Sequence, residues 1–136
     1  MYLLDTNVVS ELRKAKPHGA VLAWVKAADP ESLHLSAVTL GEIQAGIERT
    51  RELDSVKATE IESWLDDLAA AIRILPADGA VFRRWARLVH RQIDHHLEDA
   101  LIAASALEHR LIVVTRNVAD FKGFRTPTLN PFTHAA

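Results

Sequence analysis

The chain has 136 residues, of which 49% are hydrophobic and 25% charged; these values suit one folded domain and argue against a disordered protein. Its formal net charge of -2 gives no general attraction to nucleic acid, so phosphate binding would need a local basic patch or a metal ion. The absence of cysteine excludes disulfide bonds and thiolate zinc sites.

The first residues predict a buried strand followed by a helix. Residues 2–4 are apolar and end at Asp5, and no basic region precedes them, so this segment is unlike a signal peptide. No stretch of the chain approaches a membrane span, and we expect a cytoplasmic protein with no membrane partner. Thr6 or Asn7 would cap a helix that runs toward Pro17. A second helix is predicted over residues 19–28, closed by Asp29 and Pro30.

The middle of the chain predicts a strand over residues 33–35 and a third helix that begins at Thr39. Gly41 and Gly46 would permit close packing of this helix against its neighbours. Residues 48–67 carry many charges of both signs and read as one solvated amphipathic helix. Trp64 and Leu65 within it would serve either dimerisation or coverage of the core.

The carboxyl-terminal part predicts a strand over residues 72–75, stopped by Pro76, and a helix that starts after Asp78. One face of that helix is either an ordinary solvated face or a cationic rim beside the site; its basic residues are Arg83, Arg84, Arg87 and Arg91. The apolar run 100–107 predicts a helix buried on most sides. A strand over 111–114 follows, and the tail after Gly123 reads as an extended edge segment.

This alternation of strands and helices predicts an α/β domain over residues 1–136. We expect three layers, α/β/α, around a short and mostly parallel sheet of four to five strands. In such a sheet, ligand-binding groups collect at the carboxyl ends of the strands. Asp5 and the segment 115–120 lie there, and Glu42 and Asp99 are expected in the first turns of helices at the same edge. The candidate carboxylates are therefore Asp5, Glu42, Asp99 and Asp120.

Each of these acids also has an explanation without function. Glu42 lies three residues after Thr39, which is the spacing of a capping box. Asp99 and Glu98 could stabilise the start of a helix through its dipole. Asp120 and Asn117 could be turn formers. Asp5 is the hardest to explain in this way, because an ionised acid after a buried strand is unfavourable unless a partner compensates it.

Together the four acids point to a divalent cation. Carboxylates within about 4 Å of each other repel by roughly 1 to 4 kcal/mol per pair, and few basic side chains lie near these positions in the sequence. Mg²⁺ or Mn²⁺ suits a site built from a few carboxylates, whereas the absence of histidine at the four positions argues against zinc. Hydrolysis of a phosphodiester is the chemistry that such a site performs best.

The chain resembles the PIN-domain family, and within it the VapC-type toxins with their FitB-like branch. The similar segments span nearly the whole chain in order: LLDTNVVSEL, LSAVTLGEIQAGIE, EDALIAASALEH, LIVVTRNVADF and LNPF. Carried over residue by residue, the resemblance implies an acidic metal site of Asp5, Glu42, Asp99 and Asp120. It implies polar support from Thr115 and Asn117, with Thr6 and Asn7 holding Asp5 in place.

The resemblance also implies an activity and partners. A PIN-domain toxin of this kind is a Mg²⁺- or Mn²⁺-dependent endoribonuclease that cuts RNA and blocks translation. A cognate VapB-type antitoxin silences it, and operator DNA is contacted only through the antitoxin. A homodimer, and a larger complex with antitoxin, would be expected.

One departure from the family pattern is Glu98, which stands before Asp99 where an aliphatic residue is often found; we interpret it as a cap or surface residue. The segment between Trp85 and Asp99 also looks shorter than in many relatives. Three alternatives stay open from the residues alone: a PIN-fold binding module without catalysis, a phosphatase with Asp5 as nucleophile, and a nucleotide-binding Rossmann domain. The phosphatase would require an acid where Asn7 stands, and the Rossmann domain a glycine-rich loop after the first strand.

Overall fold

The first strand of the chain lies at the centre of a parallel sheet. The computed structural model describes residues 1–90, 92 and 95–134. Its strands are β1 (Tyr2–Leu4), β2 (Leu33–Ser36), β3 (Arg73–Leu75), β4 (Ile112–Val114) and β5 (Thr128–Leu129). Their spatial order is β3-β2-β1-β4-β5, and every pairing is parallel. The expectation of a short parallel sheet of four to five strands is confirmed.

Helices cover both faces of this sheet. They are α1 (Thr6–Arg13), α2 (Gly19–Ala27), α3 (Ala37–Leu53), α4 (Ser55–Ala71), α5 (Gly79–Val89) and α6 (Leu97–His109). Because side chains alternate along a strand, Leu3 of β1 packs in one core with α6, whereas Leu4 packs in another with Val8 and Val9 of α1. The predicted three layers are confirmed.

The predicted helix over residues 100–107 is confirmed within α6 and is buried on most sides. All seven residues from Ala100 to Ala106 are buried, as an apolar surface around the whole circumference requires. The helix ends at His109, and the backbone of the next residue, Arg110, adopts the left-handed conformation with φ 57°. That reversal directs the chain back into β4, which runs beside β1.

Two helix starts differ from the prediction. Asp5, and not Thr6 or Asn7, caps α1, because its side chain accepts a hydrogen bond from the backbone N–H of Thr6. Ser36 caps α3 by accepting from Val38 N at 3.0 Å, so the helix begins before Thr39. An N-cap needs extended backbone, which Asp5 provides as the residue after β1 and Ser36 as the last residue of β2.

The start of α3 changes the interpretation of Glu42. With Ala37 as its first residue, the helix places Thr39 in the first turn and Glu42 in the second. Glu42 is therefore not in a first turn, as the sequence had suggested. The capping-box explanation of this acid is also wrong, because Ser36 and not Thr39 is the cap.

The charged stretch 48–67 is not one helix. The helix α3 ends at Leu53, and Asp54 then caps α4 by accepting from Lys57 N at 3.1 Å. Within α4, Leu65 is buried and packs with Ile47, and Trp64 packs partly buried beside them, so both cover the core.

The close packing expected at the glycines of α3 is absent among the described residues. A Cβ built at Gly41 would meet no atom within 4 Å, and one at Gly46 would meet only the Arg49 side chain, at 3.7 Å.

The arginines of α5 are split between an ion pair and solvent. Arg84 Nε lies 2.6 Å from Glu108 Oε2 of α6, whereas Arg83 and Arg87 are exposed. Arg91, which the sequence grouped with them, lies outside the described residues.

The tail forms β5 at the sheet edge, as predicted for an extended edge segment. No helix within the described ranges combines the length and the apolar character that crossing a bilayer demands.

Candidate active site

The carboxyl ends of β1 and β4 bring Asp5 and Thr115 together. The two strands are parallel neighbours, so the residues that follow them leave the sheet at the same edge. The backbone N–H of Asp5 donates to Val114 O at 2.9 Å. The Thr115 hydroxyl donates to Asp5 Oδ2 at 2.8 Å, although the two residues are 110 positions apart. Asp5 is thus fixed by the sheet itself.

Asp5 is buried, with 5% of its surface exposed, and every contact that holds it is a hydrogen-bond donor. Thr6 N donates to Oδ1 at 2.8 Å, and Asn7 Nδ2 donates to Oδ2 at 3.0 Å, beside the Thr115 hydroxyl. Burial raises the pKa of Asp5 above its usual value; the hydrogen bonds oppose this, and the charge of Asp120 adds to it. The hydrogen bonds therefore do not fully offset the free-energy cost of burying the charged Asp5 carboxylate.

A small polar network ties the start of α1 to the turn after β4. Asn7 Nδ2 lies 3.2 Å from Thr115 Oγ1, and Asn7 Oδ1 accepts from Arg116 N at 3.2 Å. Asn117 contributes through its backbone, since its N–H donates to the Thr115 hydroxyl at 3.0 Å, while its side chain is exposed. Thr115 therefore accepts two hydrogen bonds and donates the third to Asp5.

Glu42 reaches the same edge from α3. The Thr6 hydroxyl donates to Glu42 Oε1 at 2.9 Å and lies 3.0 Å from the hydroxyl of Thr39, which is fully buried. Burial raises the pKa of Glu42, and the charges of Glu98, Asp5 and Asp99 raise it further, whereas the Thr6 hydroxyl lowers it. Thr6 thus links the first helix to the second acid.

Asp99 lies in the first turn of α6 and is partly buried. Burial raises its pKa from 3.8 to about 6; the charges of Asp5 and Asp120 contribute in the same direction, and His96 opposes them. Glu98 is exposed, as expected for a cap or surface residue, yet its charge acts on both Asp99 and Glu42. The electrostatic coupling shows that the acids predicted from distant parts of the sequence share one region.

Asp120 is the most exposed of the four predicted acids. It lies in a short 3-10 helix, Val118–Phe124, that follows β4. Together with His96, Gln92 and Gly123 it lines a cavity of about 460 Å³. A second cavity, of about 300 Å³, is lined by Thr6 and Glu42 on another side of the site. A larger one, of about 640 Å³, lies beside Met1 and Arg73 at the opposite edge of the sheet, away from the acids.

Within the described residues none of these four acids forms an ion pair, and His96 is the one cationic group whose charge acts on Asp99. The ion pairs there join other residues, and the guanidinium of Arg116 lies over the ring of Phe132, 4.5 Å from its centroid. In residues 1–90, 92 and 95–134 no three His, Asp or Glu side chains converge tightly enough to hold one ion directly. The donor set is nevertheless chemically suited to a hard cation, because it consists of carboxylate oxygens under mutual repulsion.

Sequence reasoning missed two residues of this region. Thr39 was interpreted as a helix cap, but its buried hydroxyl lies against Thr6. Ser36 in the sequence could have shown this, because it is also a good N-cap residue and lies at the end of the strand, three residues before Thr39. His96 was not among the predicted site residues, yet its charge acts on Asp99, three residues along the chain.

Comparison with known proteins agrees with the geometry. The family model described as the PIN domain matches residues 2–124. The chain is 35% identical over 142 residues to VapC ribonuclease Y4jK of Sinorhizobium fredii, covering 99% of this chain and all of that protein. It is 32% identical to Toxin FitB of Neisseria gonorrhoeae, covering 97% of this chain and 99% of the relative.

Solved structures give the same result. FitAcB from Neisseria gonorrhoeae superimposes with a TM-score of 0.87 at 31% identity, covering 98% of this chain and 99% of that chain. FitAB bound to an IR36 DNA fragment superimposes with a TM-score of 0.81 at 30% identity, covering 100% and 99%. The order of strands, the acids at the carboxyl edge and these similarities lead to one assignment. The chain belongs to the PIN-domain family and is related over its full length to VapC and FitB toxins.

Proposed function

We propose that this protein is a metal-dependent endoribonuclease and the toxin component of a toxin–antitoxin pair. The observation that carries the proposal is the set of coupled carboxylates at the edge where β1 and β4 end, none of which has a cationic partner in the described residues. The names of the relatives, ribonuclease and toxin, give the substrate class and the biological role. The phosphatase and Rossmann alternatives have no comparable support.

The residues that would hold Mg²⁺, or Mn²⁺ in its place, are Asp5, Glu42, Asp99 and Asp120. Mg²⁺ keeps several of its waters and is commonly bound by one or two carboxylates directly, so a loosely spaced acidic set fits it. When bound, the ion would supply charge neutralisation at the phosphate and a more acidic water. Thr115 and Asn7 hold Asp5 in position through the hydrogen bonds described above.

The chain's own groups have separate tasks in hydrolysis. Asp5 cannot turn away from the site, because three donors fix both of its oxygens. The Thr6 hydroxyl orients Glu42 toward the same region. One carboxylate of the set accepts a proton from the attacking water as the water oxygen bonds to phosphorus. One ester P–O bond then breaks, and the leaving oxygen takes a proton from solvent water. Asn117 is exposed beside Asp120 and offers an amide to the substrate.

Partners follow from the same proposal. The structural neighbours are complexes named FitAcB and FitAB, the latter bound to a DNA fragment. We therefore assign to this protein a cognate VapB-type antitoxin, contact with operator DNA through that antitoxin, and a homodimer within the larger complex. The activity is placed in the cytoplasm, where blocking translation by cutting RNA arrests growth.

Cleavage of RNA by purified, antitoxin-free protein tests the proposal. We expect cleavage with Mg²⁺ or Mn²⁺ and none in excess chelator, and a loss of roughly 100-fold or more in Asp5→Asn and Asp99→Asn. Asp66→Asn, an exposed acid on α4, is the matched control and should keep the full rate. Cleavage that persists in chelator or in Asp5→Asn would refute the metal site. A protein that folds and binds antitoxin but cuts no RNA would instead be a binding module.

A further inference from the structure

Two helices that begin at the acidic site each carry an arginine two turns later. On α1, Arg13 follows Thr6 by seven residues, and on α3, Arg49 follows Glu42 by the same interval. Seven residues bring a helix back to within about 20° of the same face and advance it by roughly 10 Å. All four residues line one cleft of about 300 Å³ between these helices. We call it the arginine cleft.

Neither arginine of this cleft has an acidic partner among the described residues. The ion pairs there are Lys14–Glu11, Arg51–Glu48, Arg51–Glu62 and Arg84–Glu108. Arg13 and Arg49 are both exposed, and their charges are not balanced by Glu42 although it lines the same cleft. The cleft therefore has an acidic end at Glu42 and a basic end at the two guanidinium groups.

The basic end continues into a second cleft toward α4. Arg13 and Ile61 line both clefts. The second, of about 200 Å³, is also lined by Lys57, Trp64 and one acid, Glu60, so its cations outnumber its acids by two to one. Lys57 is exposed, and Trp64 is only partly buried. A groove that combines positive side chains with an aromatic ring is the usual arrangement for a single-stranded nucleic acid.

We propose that the arginine cleft binds the phosphate backbone of the RNA substrate within about three nucleotides of the bond that is cut. The proposal rests on the function proposed above. Seven residues advance α3 by roughly 10 Å from Glu42 to Arg49. The Arg49 side chain turns back along the helix, with Nη2 3.7 Å from the position of a Cβ at Gly46, so its guanidinium lies on the side of the acid. Arginine is suited to this role because its planar guanidinium contacts phosphate oxygens with two parallel hydrogen bonds. Because the net charge of -2 gives no general attraction to RNA, a local basic surface would add to the attraction that the proposed metal ion supplies.

The test measures binding of a fluorescent single-stranded RNA at several salt concentrations. The protein carries Asp5→Asn so that the RNA stays intact. Arg13→Gln and Arg49→Gln should each weaken binding about threefold to tenfold and lower the slope of log affinity against log salt by about 0.7. Arg73→Gln removes the same charge at the opposite edge of the sheet and is the matched control.

Lysine variants and shortened RNAs sharpen the result. Arg13→Lys and Arg49→Lys keep the charge and should restore most of the salt slope while losing part of the affinity. For RNAs trimmed to one nucleotide from the cleaved bond on the 5′ or the 3′ side, one of the two truncations should bind the wild type and the variant that carries both Arg13→Gln and Arg49→Gln equally. In the otherwise wild-type enzyme, KM should rise and the maximal rate should change less than about twofold.

The outcomes separate this proposal from the proposed function. If the wild type cleaves RNA but the glutamine variants have the KM and salt slope of Arg73→Gln, the cleft proposal is overturned and the nuclease stands. If those variants instead lose affinity for the antitoxin alone, the cleft belongs to an acidic antitoxin segment, which also overturns it. If the wild type neither binds nor cleaves RNA, both the cleft proposal and the proposed nuclease function are refuted. Melting curves check that each variant is folded. If Arg13→Gln has a lowered melting temperature, Arg49→Gln, in the interior of α3, tests the cleft on its own.

Discussion

Replacing Asp99 by asparagine should stabilise the metal-free protein although it should abolish cleavage. The pKa of Asp99 rises from 3.8 to about 6 in the folded state, so folding disfavours its charged form. The shift of about two units, at 1.36 kcal/mol each, sets a ceiling of about 3 kcal/mol at neutral pH. Because Asp99 is only partly buried, solvent screening reduces this, and we expect about 1 kcal/mol. Loss of a charge at the N-terminus of α6 opposes it by a few tenths of a kcal/mol.

The sign of the effect sets its dependence on pH. Below pH 3.8 the acid is protonated in both folded and unfolded states, and wild type and Asp99→Asn should be similarly stable. As the pH rises from 3.8 to about 6, residue 99 of the unfolded wild type releases its proton before that of the folded state. Over that window the wild type therefore loses more stability than the variant, in which only the other raised acids contribute. The extra stability of Asp99→Asn over the wild type therefore reaches its full value only above about pH 6.

Unfolding in urea, in excess chelator, at pH 4 and at pH 7.5 measures this difference. We expect the free energies of unfolding to diverge by about 1 kcal/mol at the higher pH, or about 3 °C in melting temperature. Asp66→Asn, a change at an exposed acid of α4, is the control and should match the wild type at both pH values. Added Mg²⁺ should reverse the order, since a ligand stabilises only the protein that binds it. Equal stability of wild type and Asp99→Asn at both pH values would refute the reasoning.

Two further predictions concern the support of the site. Thr115→Val removes the hydroxyl that donates to Asp5 and should lower the free energy of unfolding in urea by about 1 to 3 kcal/mol. Thr126→Val is its control, since that buried hydroxyl has no partner among the described residues. An equal loss in both variants would contradict the role of Thr115 in holding Asp5. Gly41→Ala should raise the free energy of unfolding by about 0.5 to 1 kcal/mol, because a Cβ there meets nothing within 4 Å. Ala45→Gly, one turn later in α3, should lower it by a similar amount. If both variants were less stable than the wild type, the Cβ at position 41 would clash with a neighbour.

The sequence predicted those features that short-range patterns determine. Asp5 could be placed because an acid directly after a buried apolar strand must lie at the sheet edge, and the structure puts it there, following β1. Asp99 could be placed because the apolar run after it leaves only the helix end for a charge. The parallel sheet followed from the alternation of strands with helices.

Features decided by competition between neighbours could not be predicted in the same way. Ser36 and Thr39 are both acceptable caps, and only the end of β2 shows which of them has extended backbone. The break at Asp54 lies within a uniformly charged stretch whose helical spacing continues on both sides. The link from Thr6 to Glu42 spans 36 residues, and no local pattern records it.

The central position of β1 has a consequence for when the protein can become active. Asp5 emerges from the ribosome well before the groups that fix it, Val114 O and the Thr115 hydroxyl. The contact between Asp5 and Thr115 spans 110 residues and cannot form until β4 and the turn after it have been made. A nascent chain that stops before Thr115 therefore lacks the donor that holds Asp5, and pairing of β1 with β4 is a precondition for an assembled acidic site.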